Sequence, residues 1–135
     1  MSFNLRNIKT VQTHDHKVTD TDGVATGVVF TLAGETHPVR KAARLAQTRK
    51  LMDAASKTGR VQMPDPEEAE ADRIKLIATA VVGWSGYADD DGNPVPYTPE
   101  AAHVLLADPD MSWLLTQIEI EQGNRANFTK RAAVN

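Results

Sequence analysis

At 135 residues the chain has the length of one domain. It contains no cysteine, which excludes disulfides, thiolate nucleophiles and cysteine-ligated metals and fits a reducing compartment. The net charge of −3, with 41% hydrophobic and 24% charged residues, is that of an ordinary globular protein and argues against a dedicated nucleic-acid binder.

Aromatic residues are scarce, so the core is expected to be built from Ala, Val, Leu and Ile. Met1 to Val11 carries two basic residues and no continuous apolar run, so no signal peptide is expected. The longest apolar stretch, Ile77 to Val82 interrupted by Thr79, is too short to span a bilayer. Residues 1–21 are polar, with spaced Phe3, Leu5, Ile8 and Val11, and are read as flexible or draped over the fold. Asp22-Gly23 is a turn signal. After it, Val24, Thr26, Val28, Phe30 and Leu32 alternate with a second set of residues, the period of a half-buried strand within 22–34. Lys17 to Thr19 is placed to pair with it as a short hairpin. A hairpin alone is marginal in water, so it must pack on helices or on the sheet of another copy.

The rest of the chain reads as helical and repeats one device. A capping residue directly precedes a proline at His37-Pro38, Asp65-Pro66, Thr98-Pro99 and Asp108-Pro109. Proline at the first helical position loses no hydrogen bond, and a side-chain acceptor before it can take a free N–H of the first turn. Asp65 and Glu68 also have capping-box spacing. Helices are predicted over about 38–56, 66–83, 99–107 and 109–122, with a linker over residues 56–64. The first has a small-residue face (Ala42, Leu45, Ala46, Met52, Ala55). The second, with Ile74, Ile77, Ala78 and Val81, is expected to be central. The third presents Ala101, Ala102, Val104, Leu105 and Leu106. The fourth presents Met111, Leu114, Leu115 and Ile118, with Trp113 and Ile120 to one side. Gly123-Asn124 is a stop signal. Asn127-Phe128 is expected to fold back, and 129–135 to be a frayed tail. The fold class is therefore α+β and mainly α: a short N-terminal hairpin, then a compact bundle of about four helices, in a single domain over 22–128.

Charge is unevenly placed. Residues 38–60 hold seven bases against Asp53, and residues 64–72 hold five acids and no base. Two helices with complementary faces in one domain account for this; a bipolar surface that steers a charged partner is the sharper reading.

No catalytic constellation is visible. His14-Asp15-His16 has no third ligand nearby and lacks helical spacing for a metal. Asp89-Asp90-Asp91-Gly92-Asn93 fails as a calcium loop: with Gly92 sixth, Tyr87 stands first and Thr98 twelfth. There is no hydrolase elbow and no phosphate loop. The acids at helix starts are accounted for by the helix dipole. The basic stretch 40–50 has no interleaved aromatics for base stacking. No catalytic residue, cofactor or metal is expected. Trp84, Tyr87, Tyr97 and Trp113 are expected either to form the core where the last three helices meet or to line a groove for a partner.

The order of these parts carries a resemblance. A Gly27-Val-Val-Phe-Thr-Leu32 run leads into a basic helix, an acidic linker, and an apolar helix ending in Val82-Gly83-Trp84. The turn Gly92-Asn-Pro-Val-Pro-Tyr-Thr-Pro-Glu100 opens a short helix. Leu105-Leu106 precedes Asp108-Pro109, and the last helix ends near Asn127-Phe128. This resembles the tail assembly chaperones of long-tailed, siphophage-type bacteriophages and prophages, over most of Val24 to Phe128. The resemblance implies a non-enzymatic protein of the host bacterial cytoplasm. It would bind the long helical tape measure protein, keep it soluble until tail tube protein polymerises around it, and be absent from the mature virion. It also implies a longer form made by ribosomal frameshifting near Thr129–Asn135.

For such a holdase, Leu105, Leu106, Trp113 and Ile120 are the expected partner-binding residues, receiving a helix in a groove. Self-association through a shared sheet is a further expectation, since the strand has few partners in its own chain. The alternatives are a tail completion or head–tail connector protein retained in the virion, and a small regulatory nucleic-acid-binding protein using the basic helix.

Overall fold

The computed structural model describes residues 2–60 and 65–131. The fold is α+β, with four α-helices and five strands among the described residues. The linker's last residues and the end of the C-terminal tail lie outside the described residues.

Three strands form an antiparallel sheet in the order β2 (Thr13–Thr19), β3 (Ala25–Ala33), β4 (Val81–Ser85). A short strand, β1 (Ile8–Thr10), precedes them. The hairpin between β2 and β3 is longer than Lys17–Thr19: it pairs from Thr13 with Ala33 to Thr19 with Ala25. Its turn is closed by the Asp20 carboxylate, which accepts the N–H groups of Asp22 at 2.8 Å and Val24 at 3.0 Å. Gly23 there takes a φ of 81°, a left-handed backbone that glycine adopts without strain. In β2, His14 and His16 are half-buried and Val18 is buried, while Asp15 and Lys17 face water. The period-2 pattern is present, but its inward positions are partly polar, so hydrophobicity alone does not reveal the strand.

The second helix stops short of its predicted end. α2 runs Pro66–Thr79, after α1 (Pro38–Thr58), and residues 81–83 belong to β4 instead. Val81, Val82 and Trp84 are β-branched or aromatic and suit a pleated surface. β3 supplies the unpaired edge they complete, with Phe30 opposite Trp84 and Thr31 opposite Gly83. The unpaired strand that argued for a shared sheet is thus paired within its own chain.

The four proline-led caps form as the spacing predicts. His37 Nδ1 accepts the Val39 N–H at 3.1 Å, and Asp65 accepts that of Glu68 at 2.8 Å. Thr98 Oγ1 accepts from Ala101 at 2.9 Å, opening α3 (Pro99–Ala107). Asp108 accepts from Asp110 at 2.9 Å, but the first turn it opens, Pro109–Met111, is 3-10 before α4 (Ser112–Gly123).

The core is one cluster. Phe30 and Leu32 of β3 and Val81 of β4 meet Ile77 and Ala78 of α2, Ala102 and Leu106 of α3, and Leu114, Leu115 and Ile118 of α4. Burying a large aliphatic side chain of this kind contributes about 1.5–3 kcal/mol. Phe128 folds back into this cluster, as expected of Asn127-Phe128. Beyond it the tail does not fray at once: β5 (Thr129–Arg131) pairs antiparallel with β1. Residues 8–10 and 13–19, within the segment read as flexible or draped, form strands.

Candidate partner-binding surface

The structure separates the four residues selected from the sequence. Leu106 is 2% exposed and belongs to the core, so it offers nothing to a partner. Leu105 and Trp113 are half-buried and pack against that core from its edge. Ile120 is 64% exposed. Trp113 and Ile120 are seven residues apart and share the outer stripe of α4, opposite buried Leu114, Leu115 and Ile118. Val104 of α3 is also outward, at 71% exposed. The apolar run from Val104 to Leu106 reads as one face in sequence, but only every third or fourth residue of a helix points the same way.

The larger exposed surface is one the sequence assigned to packing. α1 has 21 residues and none is buried. Among the described residues it packs mainly beside α2, with Ala43, Ala46 and Gln47 turned toward that helix. On the other side Leu45 and Met52, again seven apart, stand in water, with Met52 66% exposed and Leu51 beside them. Among the described residues no ion pair joins α1 to the acidic start of α2. The two charged segments do not neutralise one another across a shared face. Arg40 instead points its guanidinium at the Ala33 and Gln122 carbonyls, at 3.3 and 3.4 Å, and ties the start of α1 to the sheet and α4.

Where α1, α2 and α4 meet lies an open groove of about 440 Å³, lined by Arg40, Arg44, Leu76, Ile77 and Glu119 among others. Its acidic wall is fixed. Arg73 of α2 forks onto Glu119 of α4, Nε at 2.9 Å and Nη2 at 2.8 Å, and reaches Glu70 at 3.0 Å. The hydrogen bonds from Arg73 hold the Glu119 carboxyl below the ordinary carboxylate range.

All four clustered aromatics are half-buried, and three of them pack on one another. The Trp84 ring lies 5.6 Å from Phe30, 5.3 Å from Tyr87 and 5.2 Å from Tyr97, and its Nε1 donates to the Val95 carbonyl at 2.8 Å. Trp113 stands apart from them on α4. The acidic turn is held by Asp89, whose carboxylate accepts the N–H groups of Asp91 and Asn93. It makes a surface turn.

His14 and His16 do acquire a third donor. Glu121 of α4 reaches them from the far end of the chain, with the ligand atoms of all three within 4.8 Å of one another. Sequence spacing has no signal for this, because β2 and α4 meet only in the folded chain.

No helix among the described residues is long and apolar enough to cross a membrane. Residues 36–135, well over half the chain, match the family model described as YdaY prophage protein. The match begins just before α1 and takes in all four helices. No curated protein and no solved structure matches the chain.

Proposed function

The chain belongs to the YdaY prophage protein family, and on that premise we propose that it is a tail assembly chaperone, a non-enzymatic holdase for the tape measure protein of its prophage. The observation that carries this reading is α1, a helix of 21 residues with no buried side chain, basic along its length and apolar at Leu45, Leu51 and Met52. Apolar area left in water is stabilised by burial at about 25 cal/mol per Å², so such a face favours a partner. An amphipathic helix with an acidic flank fits it in apolar pattern and in charge. The outer stripe of α4, with Trp113 and Ile120, extends the same kind of surface.

On this reading the protein acts in the host cytoplasm and holds the helical tape measure protein until tail tube protein displaces it. It is absent from the mature virion. A frameshifted longer form shares the α1 surface, since the change falls after it.

The test is co-expression with the tape measure protein of the same prophage. Retention of the tape measure protein in the soluble fraction, with co-purification, is the expected outcome. A Leu45→Glu/Met52→Glu double variant keeps its far-UV circular dichroism and loses capture. Failure to form any complex, with the protein instead found by mass spectrometry in purified particles, overturns the reading in favour of a tail completion or connector protein. A salt-dependent shift of DNA without tape measure capture favours the nucleic-acid reading.

A further inference from the structure

We propose that His14, His16 and Glu121 form a binding site for a divalent first-row transition metal ion, with zinc the fitting probe, and that the ion staples β2 to α4. Two histidines at alternate positions of one strand project from the same face, because the side-chain period of a strand is two. Both are half-buried, and so is Glu121. The donor set of two imidazoles and one carboxylate leaves a fourth position for water, which suits zinc.

The hydrogen bonds around the cluster are those of an oriented ligand set. The His16 Nε2 lies 2.7 Å from Gln117 Oε1. That amide oxygen also accepts the Thr19 N–H at 3.1 Å, while Gln117 Nε2 donates to the Thr19 carbonyl at 2.8 Å. The two backbone contacts fix which end of the amide is oxygen, so His16 must donate through Nε2. Its Nδ1 thereby lies toward Glu121 Oε2, at 3.8 Å. A metal-bound histidine is held in the same way, by donation from its other ring nitrogen. The carboxylate is oriented too: Asn127 Nδ2 donates to Glu121 Oε2 at 2.7 Å and to the Glu121 carbonyl at 3.0 Å. His14 is set by edge-on packing against the Phe128 ring, 6.1 Å between centroids.

A cation seated between His16 Nδ1 and the Glu121 carboxylate would bind to both. At 3.8 Å the two atoms stand beyond the reach of a direct N–H···O hydrogen bond, about 3.2 Å. Two donors each about 2.1 Å from a tetrahedral zinc lie about 3.4 Å apart. The present separations, all within 4.8 Å, are wider than that value, so a bound ion would draw the three side chains together. The site is argued from these side chains alone and does not rest on the proposed function.

The experiment uses the untagged full chain, stripped with a chelator and titrated with zinc chloride in a calorimeter. One zinc per chain is expected, with a melting temperature that rises with zinc concentration. Glu121→Gln keeps an acceptor for Asn127 and so keeps the fold. It is expected to weaken zinc binding by about tenfold or more, and His14→Ala likewise. Cobalt in place of zinc gives the visible absorption of a tetrahedral site in the wild type and not in the variants. No saturable zinc binding, or equal binding by wild type and Glu121→Gln, overturns the proposal.

Discussion

The Tyr97 hydroxyl donates a hydrogen bond of 2.6 Å to the carbonyl of Val81, joining the loop ahead of α3 to the first residue of β4. The same ring stands edge-on to Trp84, so one side chain carries both a polar and an apolar contact into the sheet edge. Burial raises the Tyr97 pKa above the usual 10.0, with Glu100 adding to it. Tyr97→Phe keeps the ring and removes the donor. It is expected to cost about 1 kcal/mol, a fall of roughly 4 °C in melting temperature. A group whose pKa is raised on folding contributes fully below its unfolded value and loses that contribution as pH rises through the folded value. The deficit of the variant should therefore be constant at neutral pH and shrink above about pH 10. Thermal melts across the alkaline range check this.

Arg73 and Glu119 provide the acid counterpart. The Glu119 carboxyl is lowered from 4.5, first by hydrogen bonds from Arg73. A carboxyl lowered on folding contributes stability above its unfolded value, which is lost as pH falls through the folded one. Both side chains are partly exposed, so the contribution is about 1 kcal/mol or less. Glu119→Gln should be less stable than wild type at pH 7, and the two should converge below about pH 4. Denaturant midpoints at the two pH values test this.

Leu106 and Ile120 differ in place although both come from apolar helical runs. Leu106→Asp puts a charge at a 2% exposed position and is expected to cost about 4 kcal/mol or more, enough to abolish a cooperative melt. Ile120→Asp should change stability by less than about 0.5 kcal/mol. Loss of tape measure capture in Ile120→Asp would then place the outer stripe of α4 in the interface; retained capture would confine the interface to α1.

Much of the helical half was legible in the residues. Each of the four cap-and-proline pairs acts over three or four positions, and such local hydrogen bonds form whatever the rest of the chain does. The hairpin strand β3 was legible for the same reason, since Phe30 and Leu32 stand at period two beside a turn closed by its own Asp20.

What the residues alone did not decide were the features that depend on a partner distant in sequence. Val81 to Trp84 fits a buried helix end and a strand equally well, and the free edge of β3 selected the strand. α1 has the apolar content to look like a packing helix, but the core was already filled by α2, α3 and α4. His14 and His16 have no third ligand nearby in the sequence, and only the packing of α4 carries Glu121 and Gln117 to them. Local hydrogen bonding is written in neighbouring residues, whereas which face is buried, and which side chains meet, is settled only when distant segments compete for the same core.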